Sequence, residues 1–514
     1  MAILTGIDVL GVQRYVFASN RLRDAVAASW LVHWATAADG ALAGTGGEVL
    51  LAGGGNAVLR FPDEARAREF VARLTRRLYD EAPGLEIAVA HRAQEADGLA
   101  PALEHLHQVD LPRAKLDRVP SVPQLGLSVT AACRITGLPA TGVDPQDRAV
   151  PLSRMVLRWR DQGVRERATG RWESFLAGDA RFAFPPEVND MGRTRGDTSL
   201  VGVVHVDGNG IGQMITAWLH RCVKESRSDA RVRDELHAWS TALDGVGCRS
   251  LERVVGKVTA AIKEGRITGA LPKLRFDLGH SGDRVLLPVR PVLLGGDDLT
   301  FLCDGRIALD LAATALHGFS GEIEHLGRVT ACAGVALVPA HAPFERAYEL
   351  AEALCTHAKR RRREQNDNGA WIDWHIGTLR PGEGIDRIRA RAYTHRASGT
   401  SYELTCRPYR LGTDAAERET WRWLSQTVLG TGDDGFRGES WSQHRNKLKE
   451  LASLVREGPD GVRRAREGWT EAAGLAWPGG LEQTGGFFDA RRTPLLDAIE
   501  LLDVHLPLGK EATS

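Results

Sequence analysis

Lysine is scarce: nine of the 66 basic residues are Lys and 57 are Arg, a bias that follows high-GC codon usage more than function. Net charge is missing as well, with 66 basic residues set against 66 acidic ones. A chain that coats nucleic acid through its overall charge is disfavoured, and any such contact has to be a local patch. The cysteines Cys133, Cys222, Cys248, Cys303, Cys332, Cys355 and Cys406 are odd in number, scattered, and never spaced as C-x-x-C. That argues against a disulfide framework and a zinc knuckle, and for a reducing compartment such as the cytoplasm. Long hydrophobic runs are absent too. The longest weakly charged apolar stretch, 329–344, is too short to span a bilayer and contains prolines, so no membrane contact is expected. The opening MAILTGIDVLGVQRYVF meets Asp8 at once and does not read as a signal peptide.

What is present is ordinary globular composition, 43% hydrophobic and 26% charged over 514 residues, enough for two to four domains. Its order repeats. Residues 3–8 form a short apolar run ending in Asp8. A helical pattern follows from Gln13 to about Thr36. Residues 49–52 and 57–61 are strands joined through Gly53-Gly54-Gly55-Asn56, then come a helix over 63–80 and a strand over 85–90. Later, 200–206 ends at Asp207, Ile211 opens a helix, and strands 289–294 and 299–303 flank Gly295-Gly296-Asp297-Asp298. A helix over 306–319 and a strand over 329–338 complete the second set. Asp8 and Asp207 lie 199 residues apart, Gly53 and Gly295 242, so the second copy carries 43 extra residues. The polar, Arg-rich segment 220–285 is the place for them. Two copies of a βαββαβ ferredoxin-like unit result, giving an α+β chain. Phe344, Ala347, Leu350, Ala351, Leu354 and Ala358 keep the spacing of one buried helix face. Beyond 385 the pattern is mostly helical, with Leu448, Leu451 and Val455 as one stripe.

In such a unit the first strand lies beside the hairpin, so Asp207 meets the turn acids Asp297 and Asp298. Three carboxylates in one place repel, and divalent cations relieve that. Oxygen-only ligands suit Mg²⁺ or Mn²⁺, and two such ions can activate an attacking hydroxyl and stabilise leaving pyrophosphate. Gly295 and Gly296 let a triphosphate approach the backbone; Gly208 offers its carbonyl or amide. A G-G-D-D turn alone is more often a mere hairpin tip. The first copy serves as a control: Asp8 survives there, but Gly55 and Asn56 stand where Asp297 and Asp298 stand.

The second copy resembles the palm domain of polymerases and nucleotide cyclases, and more narrowly the large subunit of type III CRISPR effector complexes. The stretches that carry the resemblance are VVHVDGNGIGQMI (203–215), LLGGDDLTFL (293–302), VTACAGVALVPAHAPFERAYELAEALCTHAK (329–359) and YELTCRPYRL (402–411), with GIDVLGVQRYVFASNRLRDAVAASWLV (6–32) in the first copy. The resemblance implies condensation of ATP into cyclic oligoadenylates beside guide and target RNA and other subunits. It implies metal ligation by Asp207, Gly208, Asp297 and Asp298. It places nucleotide contacts at Asn209, Gly295, Gly296 and Lys359, with Ser29 and Ser240 matching serines that contact adenine. The implied division is a degenerate first palm (1–112), a connector (113–199), a catalytic palm (200–385) and a helical C-terminal domain (386–514).

Two features depart from the family. The chain starts at its first palm and has no adjacent His-Asp pair, so DNA cleavage is not expected. AACRITGLPATGVD (131–144) keeps Cys133 alone of a zinc element, so no zinc is expected. The alternatives are a mono- or dinucleotide cyclase acting alone, or a silent scaffold subunit. The basic runs Arg221 to Arg233 and Arg360–Arg363 read as solvated helix faces before phosphate tracks, and Trp371, Trp374, Trp421 and Trp423 as core.

Overall fold

The computed structural model describes residues 1–509 except 45, 96–97, 119–128, 193–199, 268–275, 379, 381–382, 398, 433–434, 474, 476, 479, 482–484 and 489–490. Parts of the expected connector and insertion thus lie outside the described residues. The chain is α+β. Its first sheet is built from β1 (Ile3–Leu10), β2 (Glu48–Gly53), β3 (Asn56–Phe61) and β4 (Glu86–Ala93) in the order β2-β3-β1-β4, every pair antiparallel. The helices α1 (Val12–Val16), α2 (Leu22–Thr36) and α3 (Glu64–Glu81) fill the connections. The single helix expected from Gln13 to Thr36 is broken at 17–21. There Ser19 Oγ donates to Asp24 (3.0 Å) and Asn20 Oδ1 accepts from the Phe344 amide (3.0 Å); polar side chains bonded this way draw the backbone out of the helix.

After α4 (Leu99–His105) and α5 (Leu111–Leu116), the connector holds β5 (Gly142–Val143), β6 (Pro151–Leu152), α6 (Arg154–Trp159), α7 (Gln162–Glu173) and β7 (Phe182–Ala183). Buried Arg160 binds it to α2 through Asp24 (3.0 Å) and to its own Asp144.

The second sheet has six strands, in the order 289–295, 298–304, 200–208, 331–339, 371–376 and 409–410. It begins with β8 (Leu200–Gly208), α8 (Ile211–Lys224) and α9 (Asp229–Lys263). The short β9 (His280–Ser281) and β10 (Arg284–Leu286) precede β11 (Val289–Gly295), β12 (Asp298–Asp304) and α10 (Ala308–Phe319). The small hairpin β13 (Gly321–Ile323)–β14 (Gly327–Val329) leads into β15 (Ala331–Pro339), α11 (Phe344–Glu364) and β16 (Trp371–Ile376). Strands β11, β12, β8 and β15 repeat the first sheet's antiparallel order. Even the irregularities correspond: β2 slips register between Val49 and Leu51, β11 between Pro291 and Leu293. The expected insertion contains a 35-residue helix, α9. Its Val232, Leu236, Trp239, Leu243 and Val246 are buried, a stripe its polar composition had masked.

The C-terminal region adds α12 (Ile385–Ala392), the hairpin β17 (Thr394–Ala397)–β18 (Thr400–Glu403), β19 (Tyr409–Arg410), α13 (Trp421–Trp423), α14 (Glu439–Ser442), α15 (Arg445–Val455), α16 (Pro459–Ala473) and α17 (Leu495–Leu502). Trp371, Trp374, Trp421 and Trp423 are core residues. No helix of the described residues is long and apolar enough to cross a membrane.

The two halves meet at their hairpin tips. A Cβ on Gly295 would lie 2.8 Å from Gly54 Cα, so the backbones pass glycine against glycine. Helix α2 sits on β11, where the buried Ser29 hydroxyl donates to the Val292 carbonyl, and α9 reaches β2, where Arg233 pairs with Glu48 at 3.1 Å. Phe17 stacks on Tyr348 at 4.8 Å between α1 and α11.

Gly334 fixes how closely α11 lies on β15, because a Cβ there would stand 1.9 Å from the Ala351 carbonyl oxygen. Gly334→Val is expected to cost about 3 kcal/mol through overpacking, read as a lower urea midpoint. An unchanged midpoint contradicts that packing.

Candidate functional site

Asp207 stands at the end of β8 and Asp298 at the start of β12, directly opposite one another in the antiparallel register. Asp297 lies in the turn before Asp298, and its carbonyl accepts from the Gly208 amide at 2.9 Å. From α11, Lys359 Nζ donates to the Gly208 carbonyl (2.7 Å) and pairs with Asp207 Oδ2 (2.6 Å). Asn209 is tied down, its Nδ2 donating to Thr330 Oγ1 at 3.0 Å. The sequence-derived residues Asp207, Gly208, Asn209, Gly295, Gly296, Asp297, Asp298 and Lys359 therefore gather at the end of one sheet.

The electrostatics are strained. Burial, then Asp207 and Asp298, push Asp297 up to about 7; burial, then Asp207, push Asp298 up to about 8. His205 shares its strand face with Asp207, bonds Thr300 Oγ1 at 3.1 Å, and burial lowers it to about 4, so it is neutral. Among the described residues, Asp298 Oδ1, 3.3 Å from His205 Nδ1, accepts no hydrogen bond, nor does buried Asn209 Oδ1. A hard divalent cation fits such a donor set: oxygen ligands, crowded like charges and an orphaned carboxylate oxygen. One donor atom each of His205, Asp207 and Cys355 also lies within 4.8 Å of the others. Burial lifts the Cys355 thiol well above its ordinary range, and this overlapping set reads as strand–helix packing.

A cavity of about 300 Å³ opens beside the turn, between Gly53, Gly54 and Asn56 of the first half and Trp218, Trp239 and Ser240 of α8 and α9. Ser240 lines this cavity. Ser29 does not, being buried with its hydroxyl on Val292. The expectation that both serines line nucleotide sites thus finds only Ser240 on a cavity wall. A small helix residue looks the same in sequence whether it faces ligand or strand.

Sequence reasoning missed two neighbours. Asp244, one turn after Ser240, lines the same cavity beside Gly296, and burial raises its pKa. Lys115 pairs with Asp8, which faces Asn56 in register. The first half therefore keeps a lysine–aspartate pair where the second has Lys359–Asp207. The i,i+4 spacing of Ser240 and Asp244 was the available signal; α5 is too short to have given one for Lys115. The basic runs are mostly spent on neighbours: Arg227 and Arg231 on Glu235, Arg360 on Asp386, Arg361 on Glu364. Cys133 is buried in a turn whose amide bonds Leu138.

An α+β chain with two like sheets and an acid cluster at one hairpin has counterparts among solved structures. A Csm1–Csm4 cassette in complex with cA4 matches 98% of this chain and 69% of that one, at 14% identity and TM-score 0.53. The cassette with one ATP matches at 15% identity and TM-score 0.52, covering 99% and 70%. Csm1 in T. onnurineus matches at 16% identity and TM-score 0.51, covering 99% and 69%. The chain has the fold of Csm1, the large subunit of type III CRISPR effector complexes. No family model and no curated protein sequence matches it.

Proposed function

We propose that the chain is a cyclic oligoadenylate synthetase with two ferredoxin-like palms, the first degenerate (1–112) and the second catalytic (200–385), joined by 113–199 and followed by a helical domain (386–514). The observation that carries this reading is the in-register Asp207–Asp298 pair beside Asp297, in which the Asp298 Oδ1 has no hydrogen-bond partner among the described residues. In the reaction the 3′-hydroxyl of one ATP attacks the α-phosphorus of another. An O3′–P bond forms, the bond to pyrophosphate breaks, and the hydroxyl proton goes to solvent. Asp207, Asp297, Asp298 and the Gly208 carbonyl would hold two Mg²⁺ or Mn²⁺ ions, which when bound supply Lewis-acid neutralisation of phosphate charge.

The chain's own residues do the rest. Gly295 and Gly296 admit the triphosphate to the backbone. Lys359, released from Asp207, meets phosphate charge, and Asn209 holds the loop to Thr330. Ser240 faces the base; a hydroxyl is both donor and acceptor and selects no base by itself, so selection falls to cavity shape and unpaired groups. The first palm supplies the opposite wall through Gly54 and Asn56, consistent with two triphosphates held in line. Solved cassettes of Csm1 with Csm4 support other effector subunits as partners; guide and target RNA, in the cytoplasm, complete the proposed reading.

Asp244 favours a second reading. Its carboxylate oxygens, on the cavity wall, can accept from the N1–H and N2–H donors of guanine, which suits a mono- or dinucleotide cyclase acting alone. Incubation with each labelled NTP and Mn²⁺, followed by product sizing, decides. ATP is expected to be consumed at least about tenfold faster than GTP and to give cyclic oligomers. Equal use of GTP removes the adenine assignment, and a linear or monomeric product removes the oligomer.

A further inference from the structure

A second, larger cavity of about 570 Å³ lies against α2, α3, α6 and α7. Trp30 and Trp34, one turn apart on α2, present the same helix face to it. The Arg167 guanidinium lies 4.9 Å over Trp30, the Trp30 and Trp34 ring centres are 6.3 Å apart at 23°, and the Arg77 guanidinium lies 5.0 Å over Trp34. The result is a flat ladder of guanidinium, indole, indole and guanidinium.

The wall is also short of negative charge. Arg77, Arg158, Arg167 and Arg171 face two carboxylates, Asp39 and Glu81. Glu81 is taken by Arg158. Among the described residues Arg77, Arg167 and Arg171 make no ion pair; Arg77 donates to the Ala41 carbonyl at 3.1 Å and Arg171 to the Leu294 carbonyl at 2.8 Å. His33, lowered to about 4 by burial and then by Arg171, adds no charge. Burial lowers Arg171 to about 10, the mark of a guanidinium stripped of water without a carboxylate in exchange.

We propose that this cavity binds a phosphate-bearing nucleotide, either free or as part of single-stranded RNA. Phosphate matches the fork of unpaired guanidiniums. A base is the flat partner that arginine and tryptophan faces stack on. The volume suits one nucleotide. An acidic peptide would answer the charge but leave the flat faces unmatched. Arg171 further links the cavity to β11, since it holds the carbonyl of the residue before Gly295. Neither the ladder nor its charge depends on what the aspartate site does.

The test is fluorescence anisotropy on the full chain carrying Asp297→Ala and Asp298→Ala, in EDTA so that no metal-held triphosphate contributes. The probe is a labelled ten-nucleotide oligo(A) RNA, with unlabelled ATP and poly-glutamate as competitors. Arg77→Glu with Arg167→Glu is expected to weaken RNA binding by on the order of tenfold or more and to flatten its salt dependence by about 1.4, two single-strand contacts. Both side chains are exposed, so the fold survives, as a thermal melt will verify; Arg77→Lys with Arg167→Lys should restore the salt dependence but only part of the affinity, because lysine keeps the charge and lacks the flat fork. Displacement by ATP at concentrations matching its own affinity identifies a free nucleotide as the occupant, and displacement only by RNA identifies a strand. Undetectable probe binding, affinity unmoved by the glutamates, or equal displacement by poly-glutamate overturns the proposal.

Discussion

Asp297→Ala combined with Asp298→Ala is expected to lower nucleotide condensation by more than about 10³-fold, several kcal/mol of lost charge neutralisation at phosphate, while the protein stays folded. Both carboxylates are half-buried at a turn, so their loss opens no core cavity. The same variant should be harder to unfold than the parent in metal-free buffer. The sign follows from the raised values. The folded-state pKa values, about 7 for Asp297 and about 8 for Asp298, lie above the roughly 3.9 of an unfolded aspartate. Below about pH 4 the acids are protonated in both states and cost nothing. As the pH climbs towards 8 the unfolded chain ionises more readily, and stability drains away until the folded values are passed. Melting curves should therefore show a gain from the double substitution that grows between pH 5 and pH 8, and that Mg²⁺, by stabilising the parent alone, reverses. Unchanged product yield would sink the metal assignment; a stability gain equal at both pH values would sink the crowding.

The largest purely structural effect is expected at Asp497. Its carboxylate is fully buried, pairs with Arg407 Nε at 2.7 Å, and accepts from the Cys406 amide at 2.7 Å and the Tyr409 hydroxyl at 2.8 Å. Arg407 also pairs with Glu500 at 3.0 Å and donates to the Trp374 carbonyl at 3.2 Å. One arginine thereby fastens α17 to β16 and so to the second sheet. Asp497→Ala leaves that guanidinium enclosed with too little counter-charge, at a cost of about 4 kcal/mol in urea unfolding. Arg407→Met together with Asp497→Leu should cost less than Asp497→Ala alone, because no charge is then left buried. A single substitution within 1 kcal/mol of the parent would mean that the pair carries little of the attachment.

The acid cluster was legible because strand order and period do the placing. Once β8 lies beside β12, the ends of both strands must coincide, and Asp207 meets Asp298 without help from any distant contact. The glycines were legible as turn formers that let a triphosphate approach, but the contact of Gly295 with Gly54 shows only in the fold. Side chains whose partners come from the other half were not. Ser29 reads as one more small helix residue, and only the fold shows its hydroxyl spent on Val292. Lys115 answers Asp8 from a helix too short to show a period. The stripe on α9 was hidden among arginines and acids, one of which, Glu235, is itself buried with Arg227 and Arg231 paired to it. The break at 17–21 depends on Phe344, more than 300 residues away.

Strands β2 and β11 are the outer margins of their sheets, and each is shielded by a helix of the opposite half. An unshielded margin offers a row of free amides and carbonyls to any passing chain. The serine and arginine bonded to the carbonyls of Val292 and Leu294 close that row on β11. Each half is thus the other's guard against aggregation. Expressed separately, 1–199 and 200–514 should be poorly soluble, and co-expressed they should find one another. A duplicated unit bound by this mutual protection can lose its acids in one copy without losing the copy itself.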